Sequence, residues 1–130
     1  MAEHNEFGIR GEEVAVAHLI GKGYSIVERN WRCGHKEVDI IAMKDSELVF
    51  VEVKTRKDEE VSMAMDAVDA GKRRRIVQAA DAYVRMQRLD MPVRFDIITV
   101  VGKERDFVVD HIEDAFHPQA LTPGRRKMYR

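Results

Sequence analysis

The chain has 130 residues, of which 45% are hydrophobic and 35% are charged, a balance that fits one soluble domain with a single core. No apolar run approaches the roughly 20 residues of a membrane span, and the charged start of the chain lacks the apolar segment of a signal peptide. A single cysteine, Cys33, excludes an internal disulfide, so we expect a cytoplasmic protein. With 22 Lys and Arg against 23 Asp and Glu, the net charge of -1 gives no overall attraction to polyanions.

The first half of the chain predicts one helix followed by three strands. Apolar residues at helical spacing predict a helix over 7–21, namely Ile9, Val16, Leu19 and Ile20. Aromatic and β-branched residues predict strands over 24–31, 37–43 and 47–54. The turns between them are short, which is typical of an antiparallel meander, and the third strand is apolar on both faces, which favours a central position.

The second half predicts a polar loop over 58–65, a long helix and two further strands. Asp69 is a suitable N-cap for a helix over 70–89, and strands are predicted over 93–101 and 107–112. The resulting order, α-β-β-β-α-β-β, predicts an α/β domain over residues 1–116 with a mixed central sheet of about five strands flanked by helices. Residues 117–130 are basic and contain two prolines, so we interpret them as a C-terminal arm.

Two acids and a lysine lie on neighbouring predicted strands. Side chains alternate along a strand, so Glu52 and Lys54 share one face, with Cα atoms roughly 6 to 7 Å apart. A tight turn makes the preceding strand a neighbour, which lets Asp39 and Glu52 converge. Two close carboxylates are suitable oxygen ligands for Mg²⁺, and a lysine beside them can position water or offset phosphate charge. The alternative is a set of ordinary surface ion pairs where a central strand reaches solvent.

A further acid lies on the first predicted helix. Glu12 falls between Ile9 and Val16 in the apolar stripe, which directs it towards the sheet. Glu13 lies on the other flank of the stripe and competes for the same role. Either acid is also explained by the helix dipole, which favours negative charge near a helix N-terminus.

The second predicted helix begins with four consecutive cations: Lys72, Arg73, Arg74 and Arg75. Cations at a helix start oppose the helix dipole, and a violation of this kind points to phosphate binding. A solvated charged face is the alternative interpretation. In the next strand, Asp96 fits either a bond to backbone or arginine, or a catalytic role.

Six segments in consistent order carry a resemblance to a known family: GEEVAVAHL, KGYSIVERNWR, KEVDIIA, VFVEVKTR, AVDAGKRRR and VRFDIITV. Over about residues 8–101 the chain resembles the YraN family of small bacterial proteins. That family is placed by similarity in the PD-(D/E)XK restriction-endonuclease-like superfamily, near archaeal Holliday-junction resolvases. The resemblance implies a resolvase-like α/β nuclease fold and Mg²⁺-dependent cleavage of phosphodiester bonds.

The resemblance also assigns roles to particular residues. The superfamily's two metal-binding acids fall on Asp39 and Glu52, its lysine falls on Lys54, and the helix glutamate of the resolvase branch falls on Glu12. Apart from the resemblance, we expect Arg56 and the cations at 72–75 to contact nucleic acid, and of these Lys72 also has a counterpart in the resembled family. The chain departs from the superfamily pattern at one point. The usual motif Gly-Glu-Ile-Asp reads Lys-Glu-Val-Asp here, over 36–39, so the glycine of the turn is replaced by lysine.

We therefore expect a nuclease that uses Mg²⁺, with Mn²⁺ as a substitute, and that acts on DNA rather than RNA, including structured or branched DNA. One alternative is a non-catalytic nucleic-acid-binding module of the same fold that serves as a partner in repair, recombination or uptake. Another is a protein-interaction domain whose basic runs are only solvated. No membrane association is expected, and a homodimer is compatible with the sequence, since cutting two strands is easiest with two sites.

Overall fold

The computed structural model describes residues 2–57, 69–103 and 106–118. It contains two helices and five strands: α1 (Ala2–Gly21), β1 (Ser25–Cys33), β2 (Lys36–Lys44), β3 (Glu47–Lys57), α2 (Ala70–Gln87), β4 (Val93–Lys103) and β5 (Asp106–Phe116). This order confirms the predicted mixed α/β fold. The predicted loop over 58–65 and all but the first two residues of the predicted arm lie outside the described residues.

The five strands form one sheet in the order β1-β2-β3-β4-β5, with β3 in the centre. The first three strands are antiparallel neighbours, which confirms the predicted meander. β3 and β4 are parallel, because the chain passes through α2 between them, and β5 returns antiparallel to β4. A central parallel strand needs apolar residues on both faces, which explains the composition of β3.

One helix covers each face of the sheet. On the α2 face, Phe50 packs in a core with Tyr83, whereas on the α1 face Val51 packs in a core with Leu19. Successive residues of β3 therefore point to opposite faces, as strand geometry requires. Continued along β3, the same alternation places Glu52 on the α2 face.

The buried side of α1 differs from the predicted stripe. Gly11, Ala15 and Leu19 are buried at a spacing of four residues, whereas Ile20 is 56% exposed. The predicted inward position of Ile20 is wrong, because a rotation of about 100° per residue turns it away once Leu19 faces the sheet. Gly11 sets this register: a Cβ there would lie 2.3 Å from the hydroxyl oxygen of Thr55, so only glycine permits this approach of α1 to β3.

Several elements are longer than predicted. The strands β3, β4 and β5 are longer because β4 pairs along its length with a strand on each side. Its parallel ladder with β3 continues to Lys57 and Gly102, and its antiparallel ladder with β5 reaches Phe116. α1 begins at Ala2, five residues before the predicted start. None of the described helices is long and apolar enough to cross a membrane.

Candidate active site

β2 and β3 separate at the level of the two predicted acids. Their ladder runs from Lys44 and Glu47 to Ile40 and Val51, although both strands continue beyond that pair. Past the end of the ladder, Oδ2 of Asp39 accepts a hydrogen bond of 2.8 Å from a main-chain N–H of β3. The Asp39 carboxylate thus bridges the two strands where main-chain pairing stops.

The donor to Asp39 is the N–H of Val53, the residue that follows Glu52. The side chain of Glu52 is only 5% exposed, and its Oε2 lies 2.9 Å from Nζ of Lys72 in the first turn of α2. A carboxylate this deeply buried requires a cation, and α2 supplies it. The cation in contact with this acid is therefore Lys72, whereas the sequence analysis expected Lys54 to serve the acid pair.

Burial and neighbouring charges shift the pKa values of two residues of this cluster, Asp39 and Lys72. Burial, followed by the charge of Glu52, raises the pKa of Asp39 to about 7, although the hydrogen bond from Val53 opposes the shift. Burial disfavours the charge of Lys72, but its hydrogen bond and attraction to Glu52 outweigh burial, so the pKa of Lys72 is raised. Asp39 and Glu52 thus behave as an acid pair with too little positive charge around it.

Glu12 reaches the same cluster from α1. Its Oε1 accepts a hydrogen bond of 3.0 Å from Nδ2 of Asn30 and lies 3.4 Å from Nη2 of Arg29, both on β1. The charge of Glu12 also contributes to the raised pKa of Asp39, which shows that the two carboxylates are close in space. Glu13 is exposed, so Glu12 is the helix acid directed at the cluster.

Lys54 lies two residues beyond Glu52 on the same face of β3. Its side chain is half-buried, and within the described part of the chain it forms neither an ion pair nor a hydrogen bond. The apolar stem of a lysine can pack while its ammonium stays accessible. Lys54 is therefore available to a ligand, whereas Lys72 is already engaged.

The four cations at the start of α2 have different surroundings. Lys72 turns inward to Glu52, and the guanidinium of Arg73 lies over the ring of Phe116, 5.8 Å from its centroid. Arg74 and Arg75 are exposed. The solvated-face interpretation is therefore too simple for the first two residues of the run and fits only the last two.

The carboxylates fit a hydrated divalent cation rather than a closed metal cage. Among the described residues, no three His, Cys, Asp or Glu side chains are close enough to hold a metal ion by themselves. Mg²⁺ is usually bound by one or two carboxylates together with water and substrate phosphates. The pair formed by Asp39 and Glu52 meets this requirement, and its deficit of positive charge is what such a cation would correct.

Residues 11–100, which include every candidate residue of this cluster, match the family described as "Uncharacterised protein family UPF0102". The chain belongs to this family. A UPF0102 protein of Phocaeicola vulgatus is 57% identical over 118 residues, covering 91% of this chain and 98% of the relative, and one of Bacteroides thetaiotaomicron is 55% identical with the same coverage. A UPF0102 protein of Porphyromonas gingivalis is 45% identical over 135 residues, covering 98% and 100%. Membership confirms the resemblance to the YraN family.

Sequence analysis of this UPF0102 protein missed Asn30. Asn30 lies inside β1 with a φ of 53°, in the left-handed region that residues other than glycine seldom adopt, and its side chain holds Glu12. The available signal was an asparagine within a run of good strand formers, because Asn is depleted in strands but tolerates positive φ. Asn30 is therefore a positioning residue for the helix acid.

A second buried acid lies on the α1 face. Asp96 is completely buried and accepts hydrogen bonds from Nε and Nη2 of Arg94, at 2.9 and 2.8 Å, and from the N–H of Asp114 at 3.0 Å. Nε2 of His111 lies 2.7 Å from its Oδ2. Of the two roles open to Asp96 from sequence, the structure shows the bonds to arginine and backbone.

Proposed function

We propose that this UPF0102 protein is a Mg²⁺-dependent nuclease that hydrolyses phosphodiester bonds in DNA. The observation that supports this proposal best is the buried acid pair of Asp39 and Glu52, placed where two strands separate. Lys54 follows on the same face and has no ion pair or hydrogen bond within the described residues. Burying two carboxylates with one bonded cation is costly, and a divalent cation with its waters would offset that cost. Unfavourable arrangements of this kind cluster at functional sites.

Each residue of the cluster has a distinct role in this proposal. Asp39 and Glu52 would hold the metal ion, which when bound activates water and stabilises the leaving oxygen. Lys54 positions the attacking water or offsets charge that develops on the phosphate. Glu12, held by Asn30, orients water beside Asp39.

The exposed cations at the start of α2 would contact the nucleic-acid backbone. Phosphate is favoured at a helix N-terminus, and Arg74 and Arg75 add positive charge there. Such contacts carry no base information, which fits a nuclease that acts on DNA structure rather than on sequence. Since the described residues of one chain contain one pair of this kind, Asp39 with Glu52, we expect a two-fold homodimer when both strands are cut.

A non-catalytic nucleic-acid-binding module is the second candidate. The ion pair between Lys72 and Glu52 favours it, because an ammonium group already neutralises an acid that the metal would need. In that case the basic start of α2 would bind DNA, and the protein would act as a partner in repair, recombination or uptake.

A cleavage assay distinguishes these candidates. Duplex, single-stranded, flapped and four-way DNA, with matching RNA, would be incubated with Mg²⁺ or Mn²⁺ and either wild type or Asp39→Asn. We expect the wild type to cleave DNA, Asp39→Asn to be inactive, and both to bind DNA in EDTA. Asp81→Asn removes a carboxylate from a pair with Arg85 on α2 and should cleave as the wild type does.

The outcomes separate the two candidates. Binding without cleavage of any substrate would support the module and contradict the nuclease. A wild type that neither binds nor cleaves any of the substrates would contradict both candidates. Cleavage by Asp39→Asn at the wild-type rate would show that the acid pair is not the metal site.

A further inference from the structure

Two buried side-chain atoms have no hydrogen-bond partner within the part of the chain that the structure describes: Nε of Arg56 and Oγ1 of Thr99. Buried polar atoms in native proteins are nearly always paired, so each exception calls for an explanation. Both atoms belong to the parallel strands β3 and β4. The unpaired atoms are therefore grouped in one part of the sheet.

The register of β3 and β4 brings these groups together. Thr99 lies opposite Lys54 on the neighbouring strand, where strands are about 4.8 Å apart. Ile97 packs in the core under α2, so Thr99, two residues later, faces the same side. Arg56 lies two residues beyond Lys54 and shares that face. Three side chains able to donate hydrogen bonds thus occupy adjacent positions on one face of the sheet.

These groups are not neutralised by the acids around them. Glu52 precedes Lys54 on this face, but its ion pair is with Lys72. Asp110 lies opposite Thr99 on β5, yet it is exposed, and the hydroxyl of Thr99 does not bond to it. Nε of Arg56 and the hydroxyl of Thr99 are covered in this structure, whereas the side chain of Lys54 is half-buried. A ligand that accepts hydrogen bonds would therefore satisfy all three groups once the atoms that cover the first two move aside.

We propose that Thr99 and Arg56 form a subsite for a phosphodiester group, beside Lys54 and separate from the acid pair. Ammonium, guanidinium and hydroxyl groups all donate hydrogen bonds to phosphate oxygens. The inference rests on the proposed function, because the phosphate would belong to the nucleic-acid backbone next to the bond that is hydrolysed. Contacts to phosphate alone would add affinity for every sequence equally.

Thr99→Val provides a shape-matched test. Valine replaces the hydroxyl by a methyl group and suits a strand, and no protein group loses a partner, because the hydroxyl has none in the described residues. We expect the melting temperature to stay the same or rise. Binding of a labelled duplex in EDTA should weaken about tenfold or more, which is the usual effect of one lost hydrogen bond to a charged group. A purely structural Thr99 predicts the reverse: a lower melting temperature and unchanged affinity.

Arg56→Gln tests the second member of the subsite, with Arg85→Gln as the matched control. Arg85 is an exposed arginine in the last turn of α2, paired with Asp81, and lies outside the proposed subsite. Arg56→Gln should weaken duplex binding and reduce the salt dependence of binding by about one unit of slope. Arg85→Gln should leave both quantities unchanged, and equal effects of the two variants would contradict the assignment.

Inorganic phosphate separates a backbone phosphate from a free one. Phosphate should raise the melting temperature of the wild type more than that of Thr99→Val, in parallel with the loss of duplex affinity. A phosphate effect without a duplex effect would overturn the assignment to backbone phosphate, and equal duplex affinity of wild type and Thr99→Val would overturn the subsite. Because binding is measured without metal, these results are independent of whether the protein cleaves DNA.

Discussion

Glu52 and Asp96 are both almost fully buried and lie on adjacent central strands, β3 and β4, but on opposite faces of the sheet. Asp96 is bonded by a doubly contacting arginine, by a main-chain N–H and by a histidine. Among the residues that the structure describes, Glu52 has one ion pair, with Lys72, whose side chain is 42% exposed. The two acids are therefore buried to a similar extent, but Asp96 has more hydrogen-bond and ion-pair partners than Glu52.

The pKa values of Asp96 and of Asp39, the acid beside Glu52, shift in opposite directions. Burial raises the pKa of Asp96, but hydrogen bonds from His111 and Arg94 outweigh it, so the pKa of Asp96 lies below its usual value. For Asp39, beside Glu52, burial and like charge prevail. A fully bonded buried charge supports the fold, whereas an under-bonded one marks a place where a cation or substrate can bind. Unmet bonding, rather than burial, therefore distinguishes the candidate site of Asp39 and Glu52 from the cluster around Asp96.

The largest expected effect on stability comes from removing the charge of Asp96, the buried acid with several bonding partners. Asp96→Asn removes the buried charge that contacts Arg94 at 2.8 Å and leaves this arginine, with a side chain only 15% exposed, with the longer and more exposed contacts to Glu47 and Glu113. Loss of one member of a buried pair typically lowers the free energy of unfolding by about 3–5 kcal/mol. Urea unfolding at pH 7 measures the change, and Asp81→Asn, which breaks a more exposed pair, should cost at most about 0.5 kcal/mol.

The pH dependence of Asp96→Asn gives an independent check. Because the pKa of Asp96 is lowered in the folded protein, its contribution is complete above about pH 4 and is lost as pH falls through the folded value. The stability difference between wild type and variant should therefore be constant near neutrality and shrink only in strong acid. A difference that shrank near pH 7 would contradict a lowered pKa of Asp96.

The second prediction compares two lysines near Glu52. Lys54→Met keeps the apolar stem, removes an ammonium that has no partner in the described residues, and should leave stability unchanged. If the proposed function is correct, it should lower cleavage by about 10² fold or more while metal and DNA binding persist. Lys72→Met should instead destabilise the metal-free protein, because Glu52 loses the ion pair that it forms within the described part of the chain, and added Mg²⁺ should restore stability.

Melting curves beside single-turnover cleavage distinguish the two lysines. A destabilised Lys54→Met with full cleavage in Mg²⁺ would refute a catalytic Lys54 and show that it is a structural partner of the acids. A fully stable Lys72→Met would show that Glu52 does not depend on Lys72.

A third and smaller effect comes from removing the charge of Asp39, which lies in the acid pair with too little positive charge around it. Asp39→Asn removes a charge that burial and Glu52 disfavour, so it should stabilise the metal-free protein at pH 8 by about 1–2 kcal/mol. Since the pKa of Asp39 is raised to about 7, the wild type carries no such cost below about pH 4 and its full cost only above about pH 7. Thermal unfolding at pH 5 and pH 8 should show a gain that grows with pH. A variant less stable than wild type at pH 8 would contradict an under-compensated pair.

The acid pair of Asp39 and Glu52 could be predicted from the sequence because its position depends on local rules of strand geometry. The alternation of β3 and the tight turn before it were enough to predict that Asp39 and Glu52 meet. The contact between Lys72 and Glu52 was not accessible, since it depends on where the start of α2 lies over the sheet. That position is set by long-range packing rather than by the sequence near Lys72.

The side of α1 that faces the sheet shows the same limit. Periodicity alone favoured Ile20, but the close approach of Gly11 to Thr55 on β3 selects a different stripe. That approach joins residues far apart in sequence, so no local pattern reports it. It also explains why Glu12, next to Gly11, reaches the acid cluster.

The smallest predicted effect concerns how Glu12 is held, and it extends the comparison to a partly buried acid whose two bonding partners, Arg29 and Asn30, are exposed. Asn30→Gly keeps the left-handed backbone at this position but removes the amide that binds Glu12. Asn30→Ala removes the amide and adds backbone strain of about 1 kcal/mol. If Asn30 positions Glu12 for reaction, both variants should lose cleavage by a similar, few-fold factor, because Arg29 still holds Glu12, and only the alanine variant should lose stability. Rescue of cleavage by Asn30→Gly alone would show that the backbone conformation, rather than the amide, is what the site requires.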